Sequence, residues 1–276
     1  MLAGLTENGM GLRHRIVTLV LNAGISIAKQ TDRAAVRRLI ARLHPVVTEV
    51  PLVRLGAAGD GGYLVPDDLE GIAACFSPGV DDRASFESAM IARGIPCFLA
   101  DRSVEAPPLA HAMIRFERKL LGAIDDDATL TLDRWVADNA PGDDDLVLQM
   151  DIEGAEWIVL LNTAPATLRR FRIIVMEVHD LERLLDKHAF PIIEAAFSRL
   201  LQDFHLVHNH PNNYGRAVRV GDLVIPRVLE MTWLRKDRAE VIANARQFPH
   251  PLDVVNDPKS ADVVLPPHWF GGAGAA

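Results

Sequence analysis

The sequence predicts an α/β fold in which helices cover a mostly parallel sheet that has an antiparallel edge. From about Leu52 onward, short apolar runs typical of buried strands alternate with helical patterns, which is the order of βαβ units. The run Leu146 to Asp151 ends on an acid and passes directly into a helix. Ligands of open α/β sheets bind outside the carboxyl ends of the strands, so Asp151 marks the expected position of a site.

Seven strands and four helices are expected in this region. The predicted strands are Ala73–Pro78, Pro96–Ala100, Met113–Glu117, Leu146–Asp151, Ile173–His179, Phe204–His210 and Val228–Leu234. The predicted helices are Arg83–Arg93, Thr131–Asn139, one that ends at Leu161, and Pro191–Gln202. We expect the last two strands to form an antiparallel pair at the sheet edge.

The chain divides into a helical N-terminal extension (residues 1–50), one α/β domain (51–270) and a flexible tail (271–276). A helix is expected after Thr31, its predicted N-cap, and before Pro45. Its apolar repeat consists of Val36, Leu39, Ile40 and Leu43. The first 54 residues hold eight lysines and arginines against three acids, which predicts a solvated basic face and leaves peripheral membrane contact open.

Composition excludes several classes of protein. The 276 residues carry a net charge of −8, which argues against a nucleic-acid partner. No apolar run is long enough to cross a bilayer, and Ile16–Ala28, interrupted by polar residues, predicts a packing or surface helix rather than a signal peptide. Cys75 and Cys97, on two adjacent predicted strands, are expected to be buried free thiols, which fits the cytoplasm. Homo-oligomerisation stays open.

Two acidic runs, residues 125–127 and 143–145, lie in predicted connections. We interpret them as solvated loops rather than metal sites.

The fifth predicted strand brings further polar groups to the site. Glu177 and His179 point to one face, because side chains on a strand repeat every two residues. Both come near Asp151 if the fourth and fifth strands are neighbours. Carboxylates with an imidazole suit Mg²⁺ or Mn²⁺, and without a metal His179 is the candidate general base. The alternative is that Glu177 and His179 only satisfy backbone groups or position a bound cofactor.

The segment from Leu146 to Trp157 resembles the "DxEGxE" signature of FkbM-type S-adenosylmethionine-dependent methyltransferases, many of which O-methylate sugars. The resemblance extends from about Gly59 to Arg235. It implies a Rossmann-like class I methyltransferase fold, S-adenosylmethionine as cofactor, and methyl transfer to a sugar hydroxyl of a glycan, glycolipid or natural product. Catalytic roles are then expected for Asp151 and His179, with a divalent metal at Asp151, Glu177 and His179 as a further possibility.

Cofactor residues are expected at the ends of the first, second and fourth strands. S-adenosylmethionine has no phosphate and needs no G-x-G-x-x-G loop, and the chain contains none. Gly79 lets the backbone approach the cofactor, and Asp101 accepts the ribose hydroxyls, with Asp151 beside them. The first motif departs from the common D-x-G-A-x-x-G and resembles a branch that reads "S-x-G-x-x-x-x-S-F-E", starting at Ser77. The "DGGY" segment that precedes it adds Gly61, Gly62 and Tyr63.

A polar cluster after the sixth predicted strand resembles the "H-x-N-N" stretch of the same branch. The expected substrate-binding residues there are His208, His210, Asn212 and Asn213.

Two other classes of function stay open. A metal-dependent hydrolase is compatible with Asp151, Glu177, His179, His208 and His210, but gives Asp101 no role and predicts activity without S-adenosylmethionine. The altered first motif is also compatible with a catalytically degenerate fold that binds a glycan or a protein partner. A serine hydrolase is excluded by the lack of G-x-S-x-G.

Overall fold

A computed structural model describes residues 15–23 and 28–271 of the chain. Residues 15–22 are helical. The later helices are α1 (Arg33–Arg42), α2 (Ser85–Ile91), α3 (Leu132–Asn139), α4 (Glu156–Asn162), α5 (Pro165–Leu168) and α6 (Phe190–Asp203). The strands are β1 (Val46–Thr48), β2 (Leu52–Gly56), β3 (Gly62–Pro66), β4 (Ala74–Pro78), β5 (Cys97–Ala100), β6 (Ile114–Glu117), β7 (Leu120–Gly122), β8 (Thr129–Thr131), β9 (Leu146–Met150), β10 (Phe171–Val178), β11 (Phe204–Pro211), β12 (Ala217–Val220), β13 (Leu223–Pro226), β14 (Leu229–Arg235) and β15 (Val241–Asn244).

The central sheet has seven strands in the order β11-β14-β10-β9-β4-β5-β6. Strands β6, β5, β4, β9 and β10 run parallel to one another, and β14 is antiparallel to both β10 and β11. The mixed α/β architecture with a mostly parallel sheet is therefore confirmed. The strong apolar runs explain this success, because strands buried on both faces read as continuous hydrophobic segments.

The late strands differ from the prediction in one respect. They pair antiparallel as expected, but β14 lies inside the sheet between β10 and β11, and only β11 lies at the edge. Trp233 of β14 is accordingly fully buried. Chain order does not reveal such an insertion, because β14 follows β11 in the sequence.

Helix α1 packs directly against the main core. Its apolar positions, together with Leu43 just beyond it, are fully buried in the same cluster as residues of the central sheet. The N-cap is Asp32 rather than Thr31, because the Asp32 carboxylate accepts a hydrogen bond from the Ala34 amide. The Thr31 hydroxyl is buried without a partner. The predicted tail lies outside the described residues except for Gly271, and so does part of the apolar segment 16–28.

Several small sheets were not predicted. Strands β2 and β3 form a hairpin, β7 pairs with β8, β12 with β13, and β1 with β15. The β2–β3 hairpin bears on the site, because its turn lies against the start of α2. There the Ser85 hydroxyl donates to the Gly61 carbonyl.

Part of the interpretation of the acidic runs was wrong. Asp145 is not a solvated loop residue, because it forms ion pairs with Arg172 at 2.8 Å and with Arg235 at 2.6 Å. Arg172 is itself 5% exposed and also pairs with Asp68. This cluster holds the amino-terminal end of the sheet, opposite the expected site.

The two cysteines lie in register on β4 and β5 as buried free thiols, as predicted. Within the described residues, no helix combines the length and the apolar character that crossing a bilayer requires.

Candidate active site

The carboxyl ends of β4, β5, β9 and β10 open into one cavity of about 950 Å³. Four predicted residues line it at these strand ends: Gly79, Asp101, Asp151 and His179. The cavity is strongly acidic. Its acidic lining side chains are Asp60, Asp81, Glu87, Asp101, Asp151, Glu153, Glu177 and Asp180, against two arginines, Arg83 and Arg227. Both arginines are engaged by acids, Arg83 by Asp60 and Arg227 by Glu182 at 2.7 Å.

Residue 79 must be a glycine because the backbones at the ends of β4 and β9 approach closely here. Its φ of +80° favours glycine, and a Cβ there would lie 1.5 Å from the backbone oxygen of Asp151. The backbone that needs the space is thus that of the neighbouring strand end. Any side chain at residue 79 would push apart the two segments that form the cavity floor.

Asp101 is fixed in place by its neighbours. One carboxylate oxygen accepts from the Ser103 amide (2.7 Å) and hydroxyl (2.6 Å), and the other accepts from the Asp81 amide (3.0 Å). Burial raises the pKa of Asp101, but the hydrogen bonds from Ser103 and the backbone outweigh it, so the pKa lies below its ordinary value. The group is therefore an ionised acceptor at neutral pH. Carboxylate oxygens accept more than one bond each, so ribose hydroxyls can still bind.

Asp151, Glu177 and His179 form a compact polar cluster in the cavity lining. One potential ligand atom from each lies within 4.8 Å of those of the others. The Nε2 atom of His179 is 3.7 Å from Asp151 Oδ1 and 3.6 Å from Glu177 Oε1. Asp151 Oδ1 and Glu177 Oε2 are buried oxygens without a hydrogen-bond partner. Buried carboxylates in this condition call for a cation or a proton.

The pKa values of Asp151 and Glu177 reflect their burial and the acidic groups near them. Burial raises the pKa of Asp151 to about 7, although the charge of His179 opposes the shift. Burial, and then the charge of Asp151, raise the pKa of Glu177 well above its ordinary value. Two carboxyl groups that share a buried site cannot both ionise without a large cost in free energy. The cluster therefore favours a positively charged ligand.

Glu156 orients the imidazole, a role that sequence reasoning did not assign. It is completely buried at the start of α4, and its Oε1 lies 3.1 Å from His179 Nδ1. The same oxygen accepts from the amides of Ile152 and Gly154. Because Nδ1 is engaged by this carboxylate, Nε2 is the ring nitrogen that faces the cavity. The hydrogen bond and charge of Glu156 outweigh the effect of burial and raise the pKa of His179.

The "DGGY" residues divide into two groups. Gly61 and Tyr63 line the cavity, and the Tyr63 ring meets Phe86 edge to face at 5.7 Å. Gly62 does not line it. A Cβ at Gly62 would lie 2.0 Å from the Ala57 carbonyl, so the hairpin turn requires this glycine. Ser77 is fully buried behind the cavity wall.

The predicted substrate residues are also separated. Asn212 lines the cavity and donates to Glu177 Oε1 at 2.9 Å. Asn213 instead binds the C-terminal segment, where its amide donates to the Asp257 carbonyl at 2.8 Å. The histidines His208 and His210 lie behind the wall, 2.9 Å from Asp253 and 3.3 Å from Glu230 respectively. Their contact with substrate remains a prediction.

Replacing His210 with alanine is expected to destabilise the protein. Glu230 would lose its charge partner while 5% exposed, and breaking a buried pair costs about 3–5 kcal/mol. Thermal or denaturant unfolding measures the loss, with exposed His188→Ala as the matched control. A large rise in the acceptor Michaelis constant at unchanged stability would instead assign His210 to the substrate.

Comparison with known proteins gives one family. A search of curated proteins finds no match for the chain. Residues 117–204 match the family model of the methyltransferase FkbM domain. The matched segment contains Asp151, Glu177 and His179, and ends before the "H-x-N-N" stretch. The resemblance to FkbM-type methyltransferases is therefore confirmed over residues 117–204, and it supports a methyltransferase.

Proposed function

We propose that the protein transfers a methyl group from S-adenosylmethionine to an oxygen, namely a sugar hydroxyl of a glycan, glycolipid or natural product. The observation that carries this proposal is the single cavity that contains both Asp101, suited to a ribose, and the Asp151–Glu177–His179 cluster, suited to an acceptor hydroxyl. Asp101 and the cluster belong to different strand ends of one sheet, as cofactor and acceptor sites of a transferase require.

The charge of the cavity suits this cofactor. S-adenosylmethionine bears a sulfonium, an ammonium and a carboxylate, so its net charge is positive. Eight acidic side chains against two arginines, both already paired, favour a cationic ligand. In this arrangement Asp101 holds the ribose, and Gly61, Tyr63 and Gly79 form the adjoining wall.

The acceptor would lie at the ends of β9 and β10. Its oxygen attacks the methyl carbon in line with the carbon–sulfur bond, which breaks to leave S-adenosylhomocysteine. The hydroxyl proton passes to His179 Nε2, the free nitrogen of an imidazole held by Glu156. Most of the acceleration would come from positioning the two reactants. At this end of the cavity, the amide of Asn212 and the exposed phenol of Tyr214 are available to contact a sugar.

A divalent ion fits the same cluster. Asp151, Glu177 and His179 are the residues that would hold Mg²⁺ or Mn²⁺, and the two unpartnered carboxylate oxygens are suitable donors. When bound, such an ion lowers the pKa of an acceptor hydroxyl and orients it. Metal binding and proton acceptance by His179 exclude each other, because the ring has only one nitrogen free of Glu156.

Asp101→Ala is expected to weaken binding of S-adenosylhomocysteine by about 1–3 kcal/mol, since it removes the acceptor of the ribose hydroxyls. Isothermal titration calorimetry measures the change. Asp127→Ala, at an exposed loop position that does not line the cavity, is the matched control and should bind as the wild type does.

The same titration tests the function itself. Wild-type protein that binds S-adenosylhomocysteine, and that transfers labelled methyl groups from S-adenosylmethionine to members of a glycan panel, supports the proposal. Lack of binding by the folded wild type would contradict it and favour the hydrolase or the degenerate binding protein. Unchanged affinity in the folded Asp101→Ala variant would limit Asp101 to its bonds with Ser103 and Asp81.

A further inference from the structure

Glu87 is a buried acid in the cavity wall that has no positive partner. It lies on α2, is 3% exposed, and lines the cavity beside the end of β4. The ion pairs of the described residues do not include Glu87. Burial raises its pKa above the ordinary value, against the effect of its hydrogen bond with Ser77. A carboxylate in this position is costly unless a cation or several donors approach it.

The hydrogen bonds that Glu87 receives are few. The Ser77 hydroxyl lies within hydrogen-bond distance of Glu87 Oε1 and is also 2.5 Å from Gln149 Oε1. A hydroxyl has one proton and can donate to only one of the two oxygens. Within the described part of the chain, Glu87 therefore receives only the Ser77 bond and a bond from its own backbone amide, and its remaining acceptor capacity is available toward the cavity.

The order of the strands indicates which part of a cofactor would meet Glu87. Across the sheet the order is β5, β4, β9, β10. Asp101 ends β5, and the Asp151 and His179 side chains follow β9 and β10. With the ribose at Asp101 and the methyl acceptor at Asp151, the intervening β4 end faces the sulfur and the amino-acid branch. That branch carries an ammonium, the only group of the cofactor that is both cationic and a hydrogen-bond donor.

We propose that Glu87 binds the α-ammonium group of S-adenosylmethionine from the cavity wall beside the end of β4. This inference rests on the proposed function. It assigns Ser77 and Gln149 the role of holding the Glu87 carboxylate in place, and it assigns the amino-acid end of the cofactor to the space between α2 and β4.

The test compares three nucleosides by calorimetry: S-adenosylhomocysteine, its analogue without the α-amino group, and 5′-methylthioadenosine, which lacks the amino-acid branch. Glu87→Gln should weaken S-adenosylhomocysteine binding about tenfold to a hundredfold, the range for a hydrogen bond to a charged group. Binding of the other two ligands should change less than about twofold. Asp82→Asn, at an exposed acid near the same turn that does not line the cavity, is the control and should leave all three affinities unchanged.

The wild-type protein supplies a test that needs no variant. It should lose affinity for the deaminated analogue by the same factor that Glu87→Gln costs with S-adenosylhomocysteine, and this ligand preference should disappear in the variant. Equal weakening of all three ligands, or full affinity of Glu87→Gln for S-adenosylhomocysteine, would overturn the inference. Failure of the wild type to bind any of the three would contradict the proposed function, and the inference with it.

Discussion

His179→Ala is expected to lower the rate of methyl transfer about 10²–10⁴-fold, the usual contribution of a positioned general base. His179 is the residue whose free ring nitrogen faces both Asp151 and Glu177, so its loss affects the acceptor hydroxyl whether the imidazole takes the proton or holds an ion. Binding of S-adenosylhomocysteine should change little, because the proposed cofactor residues Gly79 and Asp101 follow β4 and β5 rather than β10. Steady-state kinetics and calorimetry on the same preparation separate these two effects.

The matched control is His188→Ala, which removes an exposed imidazole from the following segment and should keep full activity. A loss of cofactor affinity equal to the loss of rate would mean that His179 supports the cofactor instead. An unchanged rate would move the chemistry to another part of the cavity.

If Asp151, Glu177 and His179 hold a divalent ion, its removal with a chelator should abolish methyl transfer, and added Mg²⁺ or Mn²⁺ should restore it. The reason is the pair of unpartnered oxygens on Asp151 and Glu177, which no protein cation neutralises among the described residues except His179. Mn²⁺ binding to the protein without substrate gives a second readout. Asp151→Asn and Glu177→Gln should each weaken it strongly.

Exposed Asp127→Asn provides the control for the Mn²⁺ titration and should bind the ion like the wild type. Full activity in the chelator would contradict the ion and leave His179 as the general base. If both the Asp151→Asn and the Glu177→Gln variants still bind Mn²⁺ like the wild type, the ion binds outside this cluster.

The sequence predicts the central sheet well because its signals are local. Continuous apolar runs mark β4, β5, β9 and β10 to within two residues. A glycine or an acid directly follows β4, β5 and β9, and His179 follows β10. Strand neighbours were harder to predict. The position of β14 inside the sheet and the β1–β15 pair depend on contacts between residues far apart in the chain, which no local pattern encodes.

The candidate site likewise contains residues that local patterns predict and residues that only long-range packing brings together. Alternation along β10 predicts that Glu177 and His179 share a face, and the parallel neighbour β9 brings Asp151 beside them. Glu156 belongs to the recognised signature, but its contact with His179 depends on how α4 turns back over the strand ends. Glu87 likewise reaches the cavity only because α2 packs against β4. The histidines of β11 illustrate the converse, since a dense polar cluster in the sequence became buried pairs with Asp253 and Glu230.

The insertion of β14 between two earlier strands has a consequence for the order in which the chain folds. During synthesis β10 and β11 emerge first, and neither can complete its backbone hydrogen bonds until residues 229–235 arrive to join them. A chain cut before Leu229 would present two open strand edges, the usual starting point of aggregation. This side of the sheet can therefore be completed only when the last of its strands is present, and until then its strand edges stay open to other chains.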